Sequence, residues 1–266
     1  MSGDDLPQLD TRHAHPARVY NYWLGGKDNF AADREAAEQA IAANPGIKTD
    51  VRANRAFLAR VVRYLAGECG VRQFLDIGTG LPVAGNTHQV AQEVAPDARI
   101  VYADNDPIVL LHARALLTST PQGACDYVEA DLRDTAAIAR EAARTLDFGA
   151  PVALMLLIIL HLIPDADGPY DIVAELMGAL PSGSYLVLAH PASDIRAAQM
   201  AEMTRRVNAR MSGPAATMRD RAAITRFFAG LDLVEPGVVQ PQQWRPEPGM
   251  LSPPQVTAWC GVARKR

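Results

Sequence analysis

Phe74-Leu75-Asp76-Ile77-Gly78-Thr79-Gly80 is the stretch whose reading decides the fold. It reads as a buried strand, Gln73 to Ile77, that runs into a turn carrying two glycines. Without a Cβ the backbone can approach a ligand closely, and open parallel sheets bind ligands beyond the carboxyl ends of their strands. A plain tight turn, with Asp76 capping the loop, is the competing reading and stays open at this point.

Outward from this stretch the chain alternates short apolar runs with helical spacing, the texture of βαβ units around a parallel sheet. The predicted strands are Gln73 to Ile77, Ile100 to Ala103, Asp126 to Glu129, Val152 to Leu157, Ser184 to Ala189, Leu231 to Val239 and Val256 to Val262. The predicted helices run from Thr87 to Val94, Ile108 to Leu117, Thr135 to Arg144, Tyr170 to Leu180, Ala192 to Arg210 and Arg219 to Ala229. Asn86 suits an N-cap, Thr217 with Asp220 resembles a capping box, and Gly230 suits a helix stop. Only the Pro-rich loop Gln240 to Gln255 separates the last two strands, so they should pair antiparallel. Before the sheet, residues 16 to 66 carry Ala and Leu at helical spacing, broken once at Asn44-Pro45-Gly46. The expected organisation is a mobile tail at 1–15, a helical cover at 16–70 and an α/β ligand-binding domain at 71–266.

The 266 residues carry a formal net charge of −4, with 48% hydrophobic and 6% aromatic residues. Such a chain can bury a large core and lacks the basic stripe of a nucleic-acid binder, which favours a small-molecule or protein substrate, the small molecule being the one expected here. Cys69, Cys125 and Cys260 stand far apart, giving neither a disulfide framework nor a structural zinc site. No metal-ligand spacing is present. The acidic N-terminus is no secretory signal, and the longest apolar run, Val152 to Leu160, is too short to span a bilayer, so no membrane association and a cytoplasmic location are expected.

The chemistry gathers at strand ends. Ile100 to Pro107 is a strand ending in Asp104-Asn105-Asp106, and a carboxylate at the tip of a second strand can accept both hydrogen bonds of a ribose diol. The alternative use of Asp104 and Asp106 is to cap the helix that follows. Tyr127 to Asp134 repeats the pattern, with Glu129 and Asp131 placed to accept from an adenine amine. A dinucleotide fingerprint needs a third glycine or alanine and a helix opening at once, whereas Val83 holds that position and Leu81 to Gly85 delay the helix. The site therefore suits a ligand without a pyrophosphate.

Asp76-Ile77-Gly78-Thr79-Gly80, Asp104 before Pro107, Ala130-Asp131-Leu132, and Leu160-His161 with Pro164-Asp165 together resemble the class I S-adenosylmethionine-dependent methyltransferases over most of the chain. Pro16-Ala17-Arg18-Val19-Tyr20, Leu24 to Phe30, Gly85-Asn86-Thr87-His88 and Asp104 to Pro107 are similar to an actinobacterial methyltransferase family long catalogued as a domain of unknown function. The resemblance implies a Rossmann-like seven-stranded sheet with a C-terminal antiparallel hairpin, and S-adenosylmethionine as cofactor. It implies that Asp76, Gly78, Thr79 and Gly80 line the methionine part, Asp104 and Asn105 the ribose, and Asp131 and Leu132 the adenine, with Leu157 close to the sulfonium. Pro82 replaces the third glycine of the common motif, which points to a different grip on the methionine end. A cofactor-binding protein of this fold without catalysis is the alternative reading.

His190 and His161 follow strand ends on the ligand edge, so each is a candidate to orient or deprotonate a substrate, and each is equally at home as a packing residue. Arg18, Tyr20 and Tyr22 place cationic and aromatic groups in a segment, 16 to 30, expected to close over the cofactor. Met200, Met203, Met211 and Met218 read as core filling.

Overall fold

The computed structural model describes residues 11–116, 118–211, 215–247 and 255–266. The expected tail at 1–10, the expected helix end at Leu117 and residues 248–254 of the Pro-rich loop lie outside them.

The helical N-terminal part is broken twice rather than once. Helix α1 (Pro16–Leu24) ends on Gly25 at φ 87°, α2 (Ala31–Ala43) ends at Asn44, and α3 (Ile47–Arg63) continues into a π-helical turn at Tyr64–Glu68. The missed break is explained by Gly25-Gly26: the first stops α1 in the left-handed region, and the second lies against the Asn21 side chain, where a Cβ has no room. The expected tail is anchored from its last residues, because Ala14 is buried and bridges Met211, and the His15 N–H donates to Asp33 Oδ1 at 2.9 Å.

The sheet follows with β1 (Gln73–Ile77), α4 (Thr87–Val94), β2 (Arg99–Asp104), α5 (Pro107–Leu116), β3 (Ala124–Glu129), α6 (Thr135–Ala142), β4 (Ala153–Leu157), α7 (Pro169–Ala179), β5 (Tyr185–Pro191), α8 (Ala197–Asn208), α9 (Arg221–Arg226), β6 (Asp232–Leu233) and β7 (Ala258–Arg264). Its order is β3-β2-β1-β4-β5-β7-β6, parallel from β3 to β5, with β7 antiparallel to both of its neighbours. The antiparallel pairing expected for the last two strands is present, but β6 is two residues long instead of Leu231 to Val239. The chain turns at Pro236-Gly237, with Gly237 at φ 81°, and meets β7 again only at the Val239–Cys260 bridge. The predicted helix Arg219 to Ala229 also shrinks. Asp220, not Thr217, caps α9, its Oδ1 accepting from Ala223 N at 2.7 Å. The predicted helix from Ala192 begins only at Ala197, since Ala192 is bound into a bridge with Arg219.

The period of two along each strand feeds two cores. Leu75, Ile77, Leu154, Leu156, Leu186 and Leu188 face α6, α7 and α9, whereas Phe74, Ile100, Tyr102, Met155 and Val187 face α3 and α4. A third cluster joins Ala40 and Ile47 of the N-terminal helices to Met200, Met203 and Val207 of α8. The N-terminal helices and α8 thus form a wall beside the carboxyl edge of the sheet, and the site lies between the two. Among the described residues no helix is long and apolar enough to cross a membrane.

Candidate functional site

A cavity of about 460 Å³ opens at the carboxyl ends of β1, β2, β3 and β4, and its other walls are α1, α3 and α8. Its floor is the glycine turn. Gly78 stands at φ 72° and Gly80 at φ 65°, a region costly for residues with a Cβ. At Gly78 a Cβ would overlap the Ile159 side chain, whereas at Gly80 it would meet only the Ala17 methyl at 3.9 Å. The first glycine therefore answers to protein packing, and the second leaves backbone bare to the cavity. Arg55 of α3 ties down the loop that delays α4, donating to Gly85 O at 2.7 Å and to Asn86 Oδ1. Asn86 is the N-cap of α4 as expected, and Gln89 Oε1 accepts its N–H.

The acidic residues each take a distinct position. Asp76 is buried in β1 and accepts from Thr87 Oγ1 at 2.6 Å; burial raises its carboxyl to about 6, with the Thr87 bond opposing. Asp104, last residue of β2, accepts from Gly80 N at 2.9 Å and from Asp106 N at 3.0 Å. Burial also raises Asp104, against those two N–H donors. It is thus both a loop clamp and a carboxylate at the cavity edge. Asp106 does the capping, accepting from Ile108 N at 2.9 Å. Asp131 is bound by Arg133 and by Asn105 Nδ2, and Leu132 beside it is buried against the core. Although burial acts against it, Asp131 is held below the ordinary carboxylate value by the Arg133 N–H and guanidinium.

Gly78, Thr79, Gly80, Asp76, Asp104, Asn105, Asp131, Leu132 and Leu157 all line this one cavity. The cover residues divide. Tyr20 faces the cavity, its hydroxyl accepting from Asn54 Nδ2 at 3.0 Å, and burial raises its phenol. Arg18 is instead buried as a fastener, with Nε 2.8 Å from Asp33 Oδ2 of α2. Tyr22 points outward to Glu38. Helical geometry explains the split, since positions 18 and 22 share a face four residues apart and position 20 lies on the opposite side.

The two histidines also separate. His190 is fully buried with both ring nitrogens engaged, Nε2 2.9 Å from Arg219 Nη1 and Nδ1 2.8 Å from Pro191 O. The guanidinium can only donate, so Nε2 accepts and the proton sits on Nδ1. Burial, and then the neighbouring His161, push His190 down to about 3. It is locked neutral and does not reach the cavity. His161, in the 3-10 turn Leu160–Leu162, does line the cavity, its Nδ1 has no hydrogen-bond partner, and burial followed by the Arg219 charge lowers it to about 4. Ile158 just before it stands at φ 57°, held by its N–H to Ala189 O at 2.8 Å. A β-branched residue in that region stores strain, which collects at functional sites.

Sequence reasoning missed Arg55, which carries no local signal, and His15. His15 Nδ1 lies 3.0 Å from Asp106 Oδ2 and so latches the start of α1 to the loop after β2. Its place before Pro16 is a helix-start signature and could have been found. Asp50, on the cavity wall, joins α3 to the entry of β7 through Thr257. Among the described residues no cluster of side chains suits a metal ion.

The S-adenosyl methyltransferase family matches residues 3–266. A DUF574 family protein from Streptomyces avermitilis MA-4680 is 43% identical with a TM-score of 0.93, over 97% of this chain and 99% of that one. A candidate methyltransferase from Thermobifida fusca YX is 41% identical with a TM-score of 0.88, over the whole of both chains. The N-methyltransferase NodS from Bradyrhizobium japonicum WM9, solved with S-adenosyl-L-homocysteine, is 15% identical with a TM-score of 0.51, over 93% and 98%, a likeness of fold alone. No curated protein is significantly similar to this chain. The glycine turn, the acid-tipped strands and the match over almost the whole length agree: the chain belongs to the S-adenosyl methyltransferase family.

Proposed function

We propose that this protein transfers the methyl group of S-adenosylmethionine to a small-molecule acceptor held in the same cavity. The observation that carries the reading is the convergence of the ends of β1, β2 and β3 on one cavity closed by the N-terminal helices. Gly78, Thr79 and Gly80 hold the methionine part, with the bare backbone at Gly80 giving room for it. Asp104 and Asn105 take the ribose, and Asp131 with Leu132 the adenine. When bound, the cofactor supplies an already activated methyl group. The chain's part is then to align the acceptor and exclude water, which can account for most of the rate. Residues 16–30 serve as the cover, through Tyr20 on the cavity side and Arg18 on the fastening side.

Calorimetric titration with S-adenosylmethionine and S-adenosylhomocysteine tests the site. Both should bind, and Asp104→Ala should weaken them by about 1.5–3 kcal/mol, the range for hydrogen bonds to a charged group. Affinity unchanged in a folded Asp104→Ala variant would return Asp104 to a capping role. Tight cofactor binding without methyl release on any acceptor would favour the non-catalytic alternative.

A further inference from the structure

The four methionines that read as core filling have a second role, because Met200, Met203, Met211 and Met218 all line the cavity at its α8 end, together with Trp23. Three polar groups of that wall are engaged within the protein. Thr204 Oγ1 donates to Met200 O, Asn208 Oδ1 accepts from Ala216 N, and the adjacent carboxylate, Asp50, accepts from Thr257 and Asn44. His161 lines the same cavity, and its carbonyl accepts from Thr217 N at 2.7 Å, which ties the residue before Met218 to this turn. Its Nδ1 is buried without a hydrogen-bond partner.

We propose that the methionine-lined chamber is the acceptor site and takes an uncharged aromatic molecule that presents a phenolic hydroxyl to His161. The proposal rests on the cofactor reading above. Thioethers adapt to irregular apolar shapes and make favourable contacts with aromatic rings, and Trp23 adds a flat surface. A carboxylate would meet the like charge of Asp50, and an ammonium would give up its hydration against the methionine wall, each at a high desolvation cost. A phenol, with a pKa of about 10, enters neutral. As the methyl–sulfur bond breaks, a lone pair of the phenol oxygen forms the new carbon–oxygen bond. The O–H electrons stay on oxygen, the proton passes to the neutral His161 imidazole and then to water, and the sulfonium leaves as the neutral thioether of S-adenosylhomocysteine. His161 is the catalytic residue in this step.

The test is titration of 2-naphthol, with 2-naphthoate and 2-naphthylmethylamine as charged counterparts, into the full chain saturated with S-adenosylhomocysteine. The naphthol should bind at least tenfold more tightly than either ion. Met218→Glu should weaken it tenfold or more while S-adenosylhomocysteine affinity holds, and Met218→Gln provides a milder variant with the same expected direction should the glutamate unfold the protein. With S-adenosylmethionine as donor, His161→Ala should cut kcat for naphthol at least tenfold at unchanged KM and leave a rate that climbs with pH as the free phenol ionises. Equal binding of the ions, no naphthol binding to protein that holds S-adenosylhomocysteine, or indifference to both Met218 substitutions would overturn the assignment. If S-adenosylhomocysteine itself does not bind, the cofactor reading falls, and naphthol titration of the free protein still decides whether the chamber accepts a neutral ring.

Discussion

Gly78 and Gly80 share a positive φ yet differ in what surrounds them, and that difference gives a measurable contrast. Gly80→Ala should cost about 1–2 kcal/mol, the penalty for a Cβ in the left-handed region. Gly78→Ala carries the same penalty and in addition pushes Ile159 off the turn, so it should be the more destabilising by about 1–3 kcal/mol. Chemical denaturation of both variants checks the order, and equal costs would mean that Ile159 yields freely. At this scale local patterns mark positions without assigning roles. Asp104, Asp131 and the glycines were legible because strand-end acids and turn glycines have a local signature. His161 and His190 were not separable, since each follows a strand and only the position of Arg219 decides which one is locked.

Among the elements, α1 is attached to α2 by a buried ion pair, by Trp23 Nε1 donating to Ala37 O, by Tyr22 donating to Glu38 and by the packing of Val19 on Ala36 and Ala37. Arg18 Nε donates to Asp33 Oδ2 and its Nη2 to His13 O, and Asp33 also accepts from the N–H groups of His15 and Phe30. Arg18→Ala removes one partner of a buried pair, a change that costs about 3–5 kcal/mol, with the lower end expected because Asp33 keeps two backbone donors. The loss should be local. Hydrogen exchange at the amides of Val19 to Leu24 should rise, while those of β1 and β4 stay protected. Equal loosening of the sheet would show that the cover and the sheet unfold as one unit. The helical spacing of this region was legible; the break at Gly25-Gly26 was missed although a glycine pair is a local helix-stop signal, with Gly25 ending α1 in the left-handed region.

For the whole molecule, acid should act through buried imidazoles. His190 and His161 sit near 3 and 4, below the ordinary 6.5, and burial lowers His88 as well. Between those values and 6.5 the unfolded chain binds protons that the native state refuses, so this stability is present above pH 6.5 and is lost as pH falls. Asp76, raised to about 6, works in the opposite sense, since its native form keeps a proton between 6 and 3.8. Two strongly lowered histidines outweigh the raised carboxyls of Asp76 and Asp104. Stability at pH 5 should therefore be lower than at pH 7 by on the order of 2 kcal/mol, given 1.36 kcal/mol per unit of pKa. Urea titrations at the two pH values measure it, and His190→Asn should flatten the difference if it folds.

The sequence by itself determined the sheet, its parallel body and antiparallel end, and the cofactor edge, because periodicity, turn glycines and strand-end acids act over a few neighbouring residues. Tertiary structure alone decided that β7 lies between β5 and β6, that Leu231 to Val239 is mostly not strand, and that Arg18 and Tyr22 fasten while Tyr20 faces the cavity. It also decided the fate of the histidines and of the methionines. Those outcomes hang on pairs such as His190 with Arg219 and Asp50 with Thr257, 29 and 207 residues apart in the chain. Burying a polar group is costly unless it finds a partner, and which partner arrives is set by the packing of whole layers, which no local pattern records.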